Sequence, residues 1–316
     1  MKVEITDVFL RDGLQDEPVI VSTAHKLEIA EALVDAGLKR IEVASFVNPK
    51  RVPQMADAAE VVASLPTVPG VTYTSLALNG RGIQRAVEAG ATDIQVVTSA
   101  SQTHSNANAG QAIEDALANL GAAVAGFPEI RFFAGISTAF TCPFEGAIDP
   151  AYLLRVVRAF TDMGITDVGL ADTLGTTPSE QVMASLHHVR GAEPDITYYL
   201  HLHNAHSQAL ATASAAVETG VVRFDAALGG YGGCPFAPGR TATSPRRSLS
   251  GTCTTPDTRR ASTRTASPRL CGSPSTSSLI PRRPAFSIPP AKPLFTASTP
   301  VHRPPRRSSH QTFWGQ

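Results

Sequence analysis

Cysteine is scarce in this chain of 316 residues: there are 4, at positions 142, 234, 253 and 271. They are too few and too scattered for a disulfide framework, so any working thiol is expected in its reduced form. No uninterrupted apolar run reaches the length that crosses a bilayer, and Met1 to Ile5 lacks the basic and apolar regions of a secretory signal. The expectation is a cytoplasmic protein with no membrane partner.

Charge of one sign is nearly missing from the second part of the chain. The formal net charge of zero conceals 14 Lys and Arg against 26 Asp and Glu through Gly239, and 13 against 1 beyond it. Residues 240–316 hold 12 of the 24 prolines, 12 arginines, 13 serines and no glutamate. Such a segment cannot bury enough apolar surface to offset its ordering entropy and is expected to be disordered. It is basic, but it has no interleaved aromatics, fold motif or heptads, so a nucleic-acid partner is not expected.

Residues 1–239 alternate short β-rich runs with amphipathic helical patterns. Strands are expected at Val3–Leu10, Arg40–Ala44, Val71–Leu78, Asp93–Thr98, Arg131–Ser137, Asp167–Ala171, Ile196–His203 and Val221–Ala227. Between them, Leu27, Ile29, Ala30, Leu33 and Val34 follow a Ser22 or Thr23 cap, and Leu153, Val156, Val157 and Phe160 follow Asp149-Pro150. Gly37, Gly90, Gly164 and Gly220 each stand where a helix must turn back toward the next strand. Eight strands at intervals near thirty residues point to an α/β fold, a (β/α)8 TIM barrel, incomplete after strand eight because no helix pattern follows it.

In such a barrel the chemistry lies at the C-terminal strand ends. Arg11-Asp12-Gly13-Leu14-Gln15 ends strand one, Glu42 lies within strand two, Asp172-Thr173 ends strand six and His201-Leu202-His203 ends strand seven. His201 and His203, two apart on a strand, point to one side. They are either hydrogen-bonded strand histidines or two ligands of a metal. Only strand eight separates strands one and seven, so Asp12 can join them, and a mixed N/O donor set without thiolates favours Mg2+ or Mn2+. Arg11 is either a surface cation or a stabiliser of developing negative charge, with Glu42 and Asp172 as its buried acid/base or orienting partners. Cys234, flanked by glycines, reads as a reactive thiol, and Cys142 as a structural one.

These residues together resemble the 3-hydroxy-3-methylglutaryl-coenzyme A lyase family. The resemblance runs from residue 3 to 239 through Arg11 to Gln15, Glu42 to Met55, Cys142 to Gly146, Asp172 to Gly175, the His201/His203 pair and Gly229 to Gly239. It implies cleavage of 3-hydroxy-3-methylglutaryl-CoA to acetyl-CoA and acetoacetate, with Asp12, His201 and His203 holding the divalent ion. Arg11 would then stabilise the thioester enolate, Cys234 would protonate or shield it, and Lys50 and Arg51 would contact coenzyme A phosphates. An acyl-CoA is the expected partner, and a homodimer is left open by the altered C-terminal part. Asn204-Ala205 and Pro18 depart from the family pattern.

The sharper departure follows the cysteine loop. There the family has Gly-Asn-(Ile/Leu)-Ala-Thr-Glu, whose Asn is a further metal ligand, but this chain reads Ala242-Thr243-Ser244-Pro245-Arg246-Arg247. Codons can be chosen for Arg240 to Arg247 that, read two bases on, encode Asp-Gly-Asn-Ile-Ala-Thr-Glu. Residues 240–316 are therefore expected to be out-of-frame translation, and the chain as written to be impaired. The alternatives are a related carboligase of the isopropylmalate or citramalate synthase kind, and a catalytically dead barrel carrying a basic binding tail.

Overall fold

The computed structural model describes residues 2–232. Eight strands close into a parallel barrel: β1 (Glu4–Asp7), β2 (Arg40–Ser45), β3 (Thr72–Ala77), β4 (Asp93–Ser99), β5 (Arg131–Ser137), β8 (Asp167–Asp172), β9 (Thr197–Leu202) and β10 (Arg223–Ala226). Around the barrel they run β1-β10-β9-β8-β5-β4-β3-β2. A two-stranded hairpin, β6 (Thr141–Cys142) with β7 (Gly146–Ala147), sits between β5 and β8 and is absent from the sequence expectation. The helices are α1 (Thr23–Asp35), α2 (Ala58–Ser64), α3 (Gly80–Glu88), α4 (Gln102–Ala109), α5 (Ile113–Val124), α6 (Pro150–Thr161), α7 (Ser179–Ala192) and α8 (Ala209–Glu218).

The caps form where the sequence places them. Ser22 accepts from the His25 N–H to start α1, and Asp149 accepts from Ala151 N–H at 2.9 Å to start α6. Gly37, Gly90, Gly164 and Gly220 have φ of 89°, 94°, 81° and 93°. In each case the next residue donates back across the turn, as in Leu38 N–H to Leu33 O at 3.1 Å and Val221 N–H to Ala216 O at 3.0 Å. A side chain in that left-handed backbone region would strain these repeated returns from helix to sheet.

The N-terminal end of the barrel is sealed by charge. Glu4, Arg40, Asp93, Arg131, Asp167 and Arg223 are each the first residue of a strand. They pair as Arg40 with Glu4, Arg131 with Asp93 and Arg223 with Asp167. Above them the guanidinium groups of Arg40 and Arg131 lie 5.0 Å from the Phe133 ring centre, and that of Arg223 lies 5.3 Å from that of Tyr199. The apolar core surrounds this column between sheet and helices, with Leu153, Val157 and Phe160 of α6 and Val182, Leu186 and Val189 of α7 fully buried. Among the described residues, the cavity lies at the opposite end, at the C-terminal strand ends.

Strand one is shorter than its apolar run. After Asp7 the chain winds into a π-helical turn, Phe9–Gly13, in which the Val8 carbonyl accepts from the N–H groups of Arg11, Asp12 and Gly13. A Cβ on Gly13 would lie 2.8 Å from the Phe9 ring, so only glycine closes this turn as it stands. The expected lack of a helix after strand eight, the disorder assigned to residues 240–316 and Cys234 all fall outside the described residues.

Candidate metal centre

A cavity of about 720 Å3 opens at the C-terminal ends of the strands, and Arg11, Asp12, His201, His203, Asp225 and Gln15 line one side of it. The π-helical turn carries Arg11 and Asp12 off the line of β1 and into this space. Alternation on β9 brings His201 and His203 to the same face, as their spacing requires. One ligand atom from each of Asp12, His201 and His203 lies within 4.8 Å of the others.

The hydrogen bonds assign each donor atom. Asp12 Oδ1 accepts from Arg11 at 2.9 Å and from Gln15 at 3.3 Å, and Oδ2 faces the two imidazoles. That oxygen stands 3.7 Å from His203 Nε2 and 3.9 Å from His201 Nε2. His201 Nδ1 is 3.1 Å from Asp225 Oδ2, and a carboxylate can only accept, so Nδ1 carries the proton and Nε2 keeps its lone pair. A second hydrogen bond, to the Thr173 backbone, favours a proton on the His203 ring. The two Nε2 atoms face each other at 2.9 Å. Two imidazole lone pairs and a carboxylate oxygen at this range repel unless a proton or a cation sits among them. Two ligands about 2.1 Å from an ion at a right angle would lie about 3.0 Å apart, so the imidazole pair fits a metal without rearrangement.

Burial sharpens the electrostatics. It pulls the His203 pKa down to about 4, only partly opposed by Asp12, so His203 is neutral and able to ligate. Burial also lowers that of His201, but the hydrogen bond to Asp225 and the charges of Asp12 and Asp225 outweigh it and the net shift is upward. Arg11 is no surface cation. Its Nε donates to Glu42 at 2.6 Å, and although burial disfavours its charge, Glu42 and Asp12 more than restore it. Glu42 is pushed up by burial against the pull of Arg11.

Asp172 is not a partner of Arg11, which corrects the sequence reading. Its carboxylate accepts from the Thr177 hydroxyl at 2.8 Å and from the Thr177 N–H at 3.2 Å. It thereby ties down the Asp172–Thr177 loop, whose Thr173 lines the cavity. Burial pushes its pKa up, and these hydrogen bonds oppose the shift. Lys50 and Arg51 do line the cavity, at its rim. Arg51 also donates to the carbonyls of Ala107 and Asn108 at 3.1 and 3.2 Å, fastening the loop after β2 to the end of α4. Cys142 is buried, with its thiol against Ser101 Oγ at 2.8 Å, as a structural residue would be.

Asp225 escaped the sequence reading. The signal was an acid two residues after Arg223 in a short strand, level with His201 once β10 is paired with β9. Gln15, three residues after Asp12 in the recognised motif, was also assigned no role. Phe9 and Tyr231 meet edge to face, ring centres 5.6 Å apart, so the start of the glycine-rich loop is anchored on the turn that carries Arg11 and Asp12.

The chain is similar to known proteins. The family model described as HMGL-like matches residues 2–243. The mitochondrial hydroxymethylglutaryl-CoA lyase of Macaca fascicularis is 38% identical over 242 residues, which cover 75% of this chain and 74% of that protein. The (R)-citramalyl-CoA lyase of Chloroflexus aurantiacus is 37% identical over 248 residues, covering 75% of this chain and 78% of its own. Among solved structures, an HMG-CoA lyase from Acinetobacter baumannii in complex with coenzyme A and 3-methylmalate superposes with a TM-score of 0.77 at 37% identity, covering 80% of this chain and 83% of that one. No helix among the described residues is long and apolar enough to cross a membrane. On the match over residues 2–243 the chain belongs to the HMGL-like family, and with it to the carbon–carbon lyases.

Proposed function

We propose that this chain cleaves 3-hydroxy-3-methylglutaryl-CoA to acetyl-CoA and acetoacetate. The observation that carries the reading is the convergence of Asp12 Oδ2 and the two imidazole Nε2 atoms beside the Arg11 guanidinium, in a cavity that they line together. Mg2+ or Mn2+ bound by these three residues would gather the hydroxyl and carboxylate oxygens of the substrate and make the hydroxyl more acidic.

The chain's own residues supply the rest. Asp225 fixes the His201 ring so that Nε2 faces the centre, and Gln15 with Arg11 fixes the Asp12 carboxylate. When the tertiary hydroxyl passes its proton to water in the cavity, the O–H electron pair forms the ketone of acetoacetate and the C2–C3 bond breaks. The bonding pair passes to the thioester as an enolate. Arg11, held by Glu42, is a permanently charged donor for that oxyanion. Cys234 then delivers a proton to the enolate carbon, giving acetyl-CoA. Asp172 acts through the loop it anchors, and Lys50 and Arg51 take the coenzyme A phosphates.

Product formation in the presence of Mg2+ or Mn2+, its loss with a chelator and its return with the ion are the expected results. No cleavage by a chain whose frame is restored after Gly239, at saturating ion, would sink the reading. Translation of residues 240–316 out of frame belongs to the same proposal, and the chain as written is then slower than the restored one. Equal turnover by the two, or a clean gene sequence that keeps the tail in frame together with relatives that share it, contradicts that part. The proposal places the protein in the cytoplasm, which cell fractionation checks.

A further inference from the structure

The register of the parallel strands puts Glu42 of β2, Gln95 of β4, Gly169 of β8 and Asp225 of β10 in one layer, one residue from each alternate strand, and the last three of them line the cavity. Three of these positions are committed. Glu42 holds Arg11, Asp225 holds His201, and the space above Gly169 is filled by the Tyr199 ring, whose hydroxyl donates to Ala134 O at 3.0 Å. A Cβ on Gly169 would lie 2.4 Å from that ring.

Gln95 is the exception. It is half-buried, lines the cavity, and its amide makes no hydrogen bond among the described residues. Gly135, on the neighbouring strand, leaves room for it: a Cβ there would lie 2.7 Å from Gln95 Nε2 and 3.0 Å from Val97 Cγ2. The layer is otherwise hostile to an anion. Glu42 lies two strands away on one side, Asp225 lies across the barrel, and Arg11 is already neutralised by Glu42 and Asp12. A carboxylate with one oxygen held at the metal centre would turn its other oxygen away from both acids and toward β4, where Gln95 offers a neutral donor.

We propose that Gln95 is a specificity-determining residue of the acyl site, its amide selecting thioesters whose acyl chain ends in a carboxylate over those that end in hydrocarbon. This rests on the acyl-CoA lyase reading and deepens it. An amide donating to a carboxylate is a charge-assisted hydrogen bond, and losing one removes about ten- to a hundredfold in affinity.

The test is calorimetric binding of two thioesters that cannot be cleaved, because neither carries the 3-hydroxyl: 3-methylglutaryl-CoA and 3-methylbutyryl-CoA. They share the coenzyme and the methyl branch and differ in the terminal carboxylate. Q95M keeps the length of the side chain and removes the amide. G135A keeps the amide and forces it from its place. Each variant is expected to weaken 3-methylglutaryl-CoA about tenfold or more and to leave 3-methylbutyryl-CoA within about threefold. A folded variant, shown by its thermal transition, that binds the pair in the wild-type ratio overturns the assignment of Gln95 and leaves the lyase reading standing. If neither thioester binds even the chain whose frame is restored after Gly239, both fail together.

Discussion

Replacing Asp225 by Asn leaves the size of the side chain alone and removes its charge. Asp225 is 4% exposed and meets His201 Nδ1 at 3.1 Å, so it decides which nitrogen of that ring carries the proton. Asparagine can still accept through its oxygen, but it can also turn its NH2 toward Nδ1 and move the imidazole proton to Nε2, where a ligand lone pair is needed. Removing such an outer partner of a metal-bound histidine typically costs about 10- to 100-fold in metal affinity, or about 1.4–2.8 kcal/mol. A second effect runs the other way with pH. Burial lowers the His201 pKa, and the hydrogen bond and charge of Asp225, with the charge of Asp12, are what bring it above normal. Without Asp225 the proton leaves His201 at lower pH, so the acid limit of metal binding moves down even as affinity at neutral pH falls. Mn2+ titrations followed by electron paramagnetic resonance between about pH 5 and 8 measure both, around the ordinary histidine range. Unchanged affinity together with an unchanged acid limit in D225N would refute the role given to this carboxylate.

Glu42→Gln removes the charge that positions Arg11 and should lower kcat by about 10- to 100-fold with little change in KM, because Arg11 is assigned to the transition state rather than to ground-state binding. Steady-state kinetics with 3-hydroxy-3-methylglutaryl-CoA read the split, and an equal rise in KM would count against it. Gly169→Ala puts a methyl group 2.4 Å from the Tyr199 ring and should cost about 1–3 kcal/mol by overpacking, seen as a lower Tm and relieved when Tyr199 is also made Leu. His104 is fully buried and burial holds its pKa at about 4, against 6.5 for the ordinary side chain, with the Glu145 charge opposing. The unfolded chain therefore binds a proton that the folded one refuses. The associated stability is complete above pH 6.5 and is lost as pH falls toward 4, by about 3 kcal/mol. In urea melts across that window a folded H104Q variant should lose less stability than wild type, and an identical pH slope would contradict the assignment.

Much of the barrel was legible because its signals are local. Each strand is a short β-branched or apolar run, and each return to the sheet carries a glycine whose positive φ the chain needs. That His201 and His203 face the same way was legible because two residues two apart in an extended run share a face whatever the fold around them. What failed to show was set by contacts across the barrel. The π-helical turn that swings Asp12 into the cavity depends on Phe9 and Gly13 packing together, which no apolar pattern announces. Asp172 looked like a partner for Arg11 because both end strands. Its carboxylate is instead taken up by Thr177, five residues along its own loop. Asp225 and Gln95 acquire meaning only once register puts them in one layer. The hairpin of β6 and β7 is too short for any periodicity to reveal.

The central claim is that a cation lies among Asp12, His201 and His203, and a Mn2+-soaked crystal with anomalous scattering tests it most directly. The account predicts one strong peak within coordination distance of Asp12 Oδ2 and both Nε2 atoms, lost in the H203A variant. A chain that cleaves its thioester with no peak there, or with the ion bound elsewhere in the cavity, would contradict it.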